Sequence, residues 1–176
     1  MTELAITYRG TVYPWQCDHM GHMNVMWYSG KFDEASWQLL SILGLTGSHF
    51  RERGVGMVAL EQHIEYKREL HAGDTITIRS RVSDVNDKTL TMVHEMRNDQ
   101  TGEIAAKTAI VGLHIDASSR RALSLPADVR ARAQMLIIQE TGNTRTGAEA
   151  PVQMSHGSDS ASLSTERTEP ASPLFV

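Results

Sequence analysis

A single cysteine, Cys17, stands among the 176 residues. That excludes an intramolecular disulfide framework and leaves a lone thiol typical of a reducing compartment. No apolar run approaches the roughly twenty residues that cross a bilayer. The opening MTELAITYRG has no basic start followed by an apolar core. A cytoplasmic address with no membrane partner is the expectation. Nor is there a Lys/Arg block longer than a pair: 17 basic residues face 21 acidic ones, for a net charge of -4. This balance speaks against nucleic acid as a partner, and any anionic ligand has to be met by a local basic patch. Length and composition suit one soluble domain with a real core.

Leu4 to Tyr13 reads as a strand, because Ile6, Tyr8, Gly10 and Val12 alternate with more polar neighbours until Pro14. From Val25 to about Leu43, Tyr28, Phe32, Ala35, Leu39 and Ile42/Leu43 recur at steps of three and four, the stripe of a half-buried helix. Gly44 ends it. A helical turn near Phe50 is expected before four strands: Met57 to Leu70, Asp74 to Val85, Lys88 to Asn98 and Gly102 to Asp116. Their joints (HAGD at 71–74, VNDK at 85–88, NDQTG at 98–102) are turn sequences suited to hairpins, so an antiparallel meander is expected. In the first of these strands Val58, Leu60, Ile64 and Tyr66 share a face opposite Glu61, His63, Glu65 and Lys67, the pattern of a sheet covered on one side. The helix from Val25 is its cover. A last helix runs from Pro126 to about Gln139, which closes a domain of residues 1–139. The Ser/Thr/Gly/Pro-rich remainder, 140–176, reads as a disordered tail.

The stretch between the first strand and the helix, WQCDHMGHMN (15–24), carries the chemistry. Asp18 sits in a Gly-containing loop that ends at Asn24, a good N-cap residue. A helix start offers unpaired N–H groups to a developing oxyanion, and a carboxylate beside it can serve as base or nucleophile. Those are the two needs of acyl transfer, so the feature points to hydrolysis of an activated acyl group.

One strand, a long helix and four antiparallel strands, with Asp18, Gly21, His22, Met23 and Asn24 before the helix, resemble the 4-hydroxybenzoyl-CoA thioesterase-like group of hotdog-fold acyl-CoA thioesterases. The similarity continues through Tyr28, the FDEAS segment (32–36), YKREL-x-x-GD (66–74) and Leu125–Pro126, covering about residues 5 to 130. The resemblance implies an α+β hotdog fold, an antiparallel sheet wrapped around a long central helix. It also implies an acyl-CoA substrate, no cofactor, and a homodimer or homotetramer. By it Asp18 aligns with the catalytic carboxylate, as nucleophile or as general base. The backbone N–H that polarises the thioester falls on Val25 or its neighbours. Asn24 has two readings: a cap worth about 1 kcal/mol, or a direct contact to the carbonyl or attacking water.

Other residues are weighed beside these. Trp15, His22, Trp27 and Tyr28 are the expected substrate contacts, and with Tyr13 the aromatic rings could form a cage. The block CDHMGHMNVMWY with KFDEAS most resembles thioesterases assigned to betainyl-CoA, whose trimethylammonium an aromatic cage would hold by cation–π attraction. Asp33 and Glu34, two turns into the helix, are the alternative base or an added anion for that cation. His19 and His22 beside Cys17 and Asp18 lack the ligand number and spacing of a zinc site, so no metal is expected. Cys17 reads as a packing residue, and His63, on the polar face of its strand, as a weak catalytic candidate. Candidates for the CoA phosphates are Lys67, Arg68, Lys88, Arg120 and Arg121. In the relatives the turn before the fourth strand is strongly basic, whereas here Asn86 and Asp87 leave Lys88 alone. A non-catalytic acyl-CoA-binding protein and a hotdog hydratase or dehydratase are the rival classes.

Overall fold

The computed structural model describes residues 4–143. Its elements are β1 (Ala5–Thr11), a 3-10 turn (Pro14–Gln16), α1 (Val25–Ile42), α2 (Gly47–Arg53), β2 (Val55–Tyr66), β3 (Thr75–Val85), β4 (Thr89–Asn98), β5 (Ile104–Asp116) and α3 (Ala127–Asn143). The last helix runs four residues past the expected boundary at Gln139. The tail expected to be disordered lies, beyond that helix, outside the described residues.

All five strands form one antiparallel sheet in the order β1-β3-β4-β5-β2. Alternate residues of β3, β4 and β5 are buried: Ile76, Ile78, Ser80 and Val82, then Leu90, Met92, His94 and Met96, then Ala106, Thr108, Ile110 and His114. Against that face lies α1, with Tyr28, Phe32, Ala35, Leu39 and Leu40 buried as its spacing requires. Leu43 completes the stripe, fully buried, while Ile42 is exposed. The helix stops in a Schellman motif: Gly44 takes φ +90°, its N–H donates to the Ser41 carbonyl at 2.9 Å, and Leu45 N–H donates to the Leu40 carbonyl at 2.9 Å. Such a sheet wrapped on one central helix is the hotdog architecture that the resemblance implies.

Two expectations are corrected. The meander comprises β3, β4 and β5 only. Strand β2 stands at the far edge beside β5, so residues 67–74 cross the end of the sheet rather than make a hairpin. Long-range bonds decide this: Lys67 and Arg68 N–H both donate to the Ala105 carbonyl (2.8 and 3.0 Å), and Gly73 N–H donates to that of Val12 at 2.9 Å. In addition, β2 carries a bulge between Ala59 and Glu61. Met57 and Ala59, rather than Val58 and Leu60, pair with the inward positions His114 and Gly112, and the pattern returns to Ile64 and Tyr66 only after it. Leu60 is 59% exposed. Being an edge strand, β2 is not covered along its length as the alternation suggested.

A chain of buried polar groups threads the core. Thr7 and Ser80 hydroxyls meet at 2.5 Å, Ser80 Oγ is 2.5 Å from His94 Nδ1, and His94 Nε2 is 3.1 Å from Ser36 Oγ. Ser36 donates to the Phe32 carbonyl at 2.9 Å, which leaves its oxygen to accept from Nε2–H and Nδ1 to accept from Ser80. His94 is fully buried, and burial holds its pKa down to about 4. It is a neutral ring that ties β1, β3 and β4 to α1.

Candidate active site

The loop that holds Asp18 is a small closed hairpin. Asp18 N–H donates to the His22 carbonyl at 3.0 Å, Asn24 N–H to that of Gln16 at 2.9 Å, and Gly21 N–H back to Asp18 O at 3.0 Å, with Gly21 at φ +83°. A side chain there would be strained, which is why the turn carries glycine. Met23, 2% exposed, plugs the loop into the core, and its N–H donates to the Leu70 carbonyl at 2.7 Å. The turn residues therefore have nowhere to drift.

Within this frame Asp18 Oδ1 accepts from Met20 N–H at 2.9 Å and Oδ2 from Asn24 Nδ2 at 3.3 Å. These bonds, the Met20 N–H foremost, hold its carboxyl below the usual value of 3.8 against a partial desolvation, helped by the charges of His22 and His19. Its side chain remains 22% exposed. The group is thus an anion at neutral pH that solvent and ligand can reach. Asn24 also caps α1: its Oδ1 accepts from Met26 N–H at 3.0 Å, and its own carbonyl accepts from Trp27 N–H at 2.9 Å. Val25 N–H has no hydrogen-bond partner among the described residues. A free donor at the positive helix end stands next to a tethered carboxylate.

His22 lies between two acids, its Nδ1 4.0 Å from Asp18 Oδ1 and its Nε2 3.7 Å from Glu69 Oε1. Both distances exceed a hydrogen bond, so the ring stands beside the two acids without donating a proton to either. Nothing in the sequence pointed to Glu69. The Met23–Leu70 and Tyr28–Arg68 bonds, which dock the segment after β2 against the loop and the helix start, bring it there. His19 is exposed, and among the described residues no group of three or more His, Cys, Asp or Glu is placed to hold a metal. Cys17 Sγ faces the Tyr13 carbonyl at 3.9 Å and is half-buried.

Within one subunit the aromatic residues near Asp18 fall into two groups, Tyr13 with Trp15 and Trp27 with Tyr28. Tyr28 is buried, packs edge-on against Tyr66 with centroids 5.2 Å apart, and donates to the Arg68 carbonyl at 3.4 Å; burial pushes its phenol well above the usual range. Tyr13 and Trp15 stack on each other at 4.4 Å, Trp15 being 68% exposed, and Trp27 packs on the core beside Tyr28. The structure also offers a cavity of about 110 Å³ between α1 and the β2–β5–β4 face, lined by Ser29, Asp33, Trp37, Met57, Gln62 and Ile110 among others. Asp33 is the one charged group in that lining, while Glu34 is exposed elsewhere on the helix. Lys88 sits exposed in the β3–β4 turn, next to the C-terminal half of α1 and away from Asp18. Arg120 and Arg121 follow β5 at that same far end.

Comparison with known proteins adds the family. A model described as the Thioesterase-like superfamily matches residues 12–133. The chain is 30% identical over 125 residues to an L-carnitine dehydrogenase/betainyl-CoA thioesterase of Agrobacterium fabrum, covering 71% of this chain and 25% of that one. It is 24% identical over 136 residues to a betainyl-CoA thioesterase of Pseudomonas aeruginosa, covering 77% and 86%. The chain thus spans about a quarter of the Agrobacterium protein and most of the Pseudomonas one. Among solved structures, a Staphylococcus aureus protein crystallised in complex with CoA superposes with a TM-score of 0.71 at 20% identity, covering 78% of this chain and 87% of that one.

Proposed function

The chain belongs to the thioesterase-like superfamily, and on that premise we propose that it hydrolyses the thioester of a small acyl-CoA to the free acid and CoA. The observation that carries this reading is the Asp18–Asn24–Val25 arrangement. The thioester carbonyl lies at the start of α1, where Val25 N–H and the helix dipole accept the charge that develops on its oxygen. Asp18, already ionised, attacks the carbonyl carbon to give a mixed anhydride that water then opens, or takes a proton from the attacking water; in both cases the CoA thiolate is expelled. Asn24 positions the carboxylate and the helix start relative to each other. A non-catalytic binding protein has no need of that tethered anion. Release of free thiol from a panel of acyl-CoAs tests the reading, and a purified chain that binds CoA thioesters yet releases none would contradict it.

The acyl group we propose is short and positively charged at its end, as in betainyl-CoA. Three relatives carry that activity in their names, and the cavity under α1 is small, with one carboxylate, Asp33, and one indole, Trp37, in its lining and no basic side chain. Such a lining favours a quaternary ammonium by charge and by cation–π attraction. Turnover of betainyl-CoA well above that of butyryl-CoA supports this assignment; equal turnover removes it.

The working unit we propose is at least a homodimer. The outer edge of β2 is twelve residues long and carries the exposed Leu60 and Tyr66, and an unpaired edge of that length is a liability that pairing with a second copy relieves. Light scattering that finds a fully active monomer would refute this. No described helix is long and apolar enough to cross a membrane, and we propose a cytoplasmic site of action with neither membrane nor nucleic acid as partner.

A further inference from the structure

The cavity under α1 has two ends of different chemistry. Ser29 and Gln62 line the end nearer Asp18, and Leu40, Met57, Met92 and Gly112 line the other. Packing fixes this direction. Tyr28, in the first turn of α1, packs edge-on against Tyr66 at the end of β2, whereas Leu40, in the last turn, shares its core with Met92 and with Met57 near the start of β2. From Ser29 to Leu40 the helix rises about 16 Å at 1.5 Å per residue. A chain that enters past Ser29 therefore ends at the two methionines.

Met57 reaches this place through the bulge in β2. Strict alternation back from Ile64 would turn it to the outer face; the irregularity between Ala59 and Glu61 turns it inward, opposite His114. Met57 is half-buried, and Met92 is 3% exposed.

Gly112 makes room for both. A Cβ built there would stand 2.8 Å from Met57 Cε and 3.9 Å from Met92 Cε, with the Leu90 carbonyl oxygen at 3.7 Å. Gly112 is not among the glycines of positive φ, so no backbone strain calls for glycine at this position. What the bare backbone provides is space for two thioether ends. Methionine is unbranched and turns about three side-chain bonds, so it fills an irregular gap without fixing its shape. A floor of two such ends yields to pressure where a branched or aromatic side chain would not.

We propose that Met57 and Met92, meeting over Gly112, form the stop that sets how long an acyl chain this protein accepts. Short chains end against the thioether methyls, and a longer chain has to displace them. The proposal rests on the thioesterase reading for its reaction and is independent of any charge on the acyl end.

Two substitutions move the stop in opposite directions. Met57→Ala removes one side of the floor and deepens the cavity. Gly112→Ala drives Met57 Cε, the free end of a flexible side chain, off the backbone and toward the cavity, which shortens it. Values of kcat/KM are measured on butyryl-, hexanoyl- and octanoyl-CoA and read as ratios, which a smaller fraction of folded protein leaves unmoved. Met57→Ala raises the octanoyl-to-butyryl ratio about tenfold or more, and Gly112→Ala lowers the hexanoyl-to-butyryl ratio about tenfold. A core that is merely destabilised gives no such opposite signs. Ratios that keep their wild-type values, or that move the same way in both variants, overturn the proposal. If Met57→Ala does not fold, Gly112→Ala decides alone, and an unchanged ratio in it overturns the stop. A wild type that releases thiol from none of the three thioesters removes the thioesterase reading, and the stop is then read by calorimetric titration with the same compounds. The same two shifts in relative affinity support it, whereas unchanged ratios, or no binding at all, sink it.

Discussion

Asn24 is joined to Asp18 through its amide nitrogen and to the helix through its amide oxygen: Nδ2 donates to Asp18 Oδ2 at 3.3 Å while Oδ1 accepts from Met26 N–H at 3.0 Å. The two readings of this residue in the sequence, cap and site residue, are therefore served by opposite ends of one carboxamide. Whatever fixes the helix start also fixes the carboxylate.

Two substitutions separate these ends. Asn24→Ala loses the cap and the tether, so stability falls by about 1 kcal/mol and turnover falls with it. Asn24→Asp keeps a capping oxygen but sets a second carboxylate against Asp18. Its urea midpoint stays near that of the wild type while kcat drops, and equal kcat in Asn24→Asp and the wild type would show that the amide does nothing for Asp18.

The acid limb of the pH profile follows from the lowered pKa of Asp18. A carboxyl held below 3.8 in the folded protein stays ionised as pH falls through the ordinary Asp range and is protonated only beneath it. The log of kcat/KM is thus flat from neutrality down past that value before it falls, as far as the fold survives. In Asn24→Ala the limb moves upward, because one bond to the ionised form is gone. An acid limb centred near 6 would assign the essential base to another group.

His94 predicts a separate, structural pH dependence. Its folded pKa, about 4, lies below its ordinary value of 6.5, so the unfolded chain takes up a proton that the folded core refuses. The stabilisation is complete above 6.5 and is lost as pH falls from 6.5 toward 4, by roughly 3 kcal/mol in all. Urea unfolding at pH 7 and pH 5 reads this as a lower midpoint in acid, and a midpoint that does not move would contradict the neutral buried ring.

Glu69 acts on Asp18 only through His22, over 3.7 and 4.0 Å. Glu69→Gln should reduce kcat no more than about tenfold, well short of the loss on removing the base itself. Steady-state kinetics of both variants on one substrate give the ranking, and a Glu69→Gln as inactive as Asp18→Asn would make Glu69 part of the reacting machinery.

Features set by local chemistry were legible in the sequence. Asn24 and Gly44 mark the ends of α1 because capping depends on the residue itself, and Asp18 stood out because a turn glycine and a cap follow it within one loop. The place of β2 and its bulge were not, since the HAGD turn has hairpin chemistry and only the bonds to Ala105 and Val12 send the chain across the sheet. Ser36, Ser80 and His94 looked like ordinary polar residues in amphipathic segments. Their burial depends on three strands and a helix meeting at one point. Ring placement was not legible for the same reason: nearness in sequence to Asp18 says nothing of where Tyr28 or Trp15 turns its ring, whereas Asp33 and Trp37, one turn apart on α1, share a cavity with strands far along the chain.

The central claim is that Asp18 does the chemistry, and thiol release by Asp18→Asn beside Asp33→Asn, both checked for an unchanged melting profile, tests it most directly. The account predicts that Asp18→Asn loses roughly a hundred- to ten-thousand-fold in kcat while Asp33→Asn and Glu34→Gln lose far less on an uncharged acyl-CoA. A live Asp18→Asn beside a dead Asp33→Asn would move the catalytic acid onto the helix and contradict it.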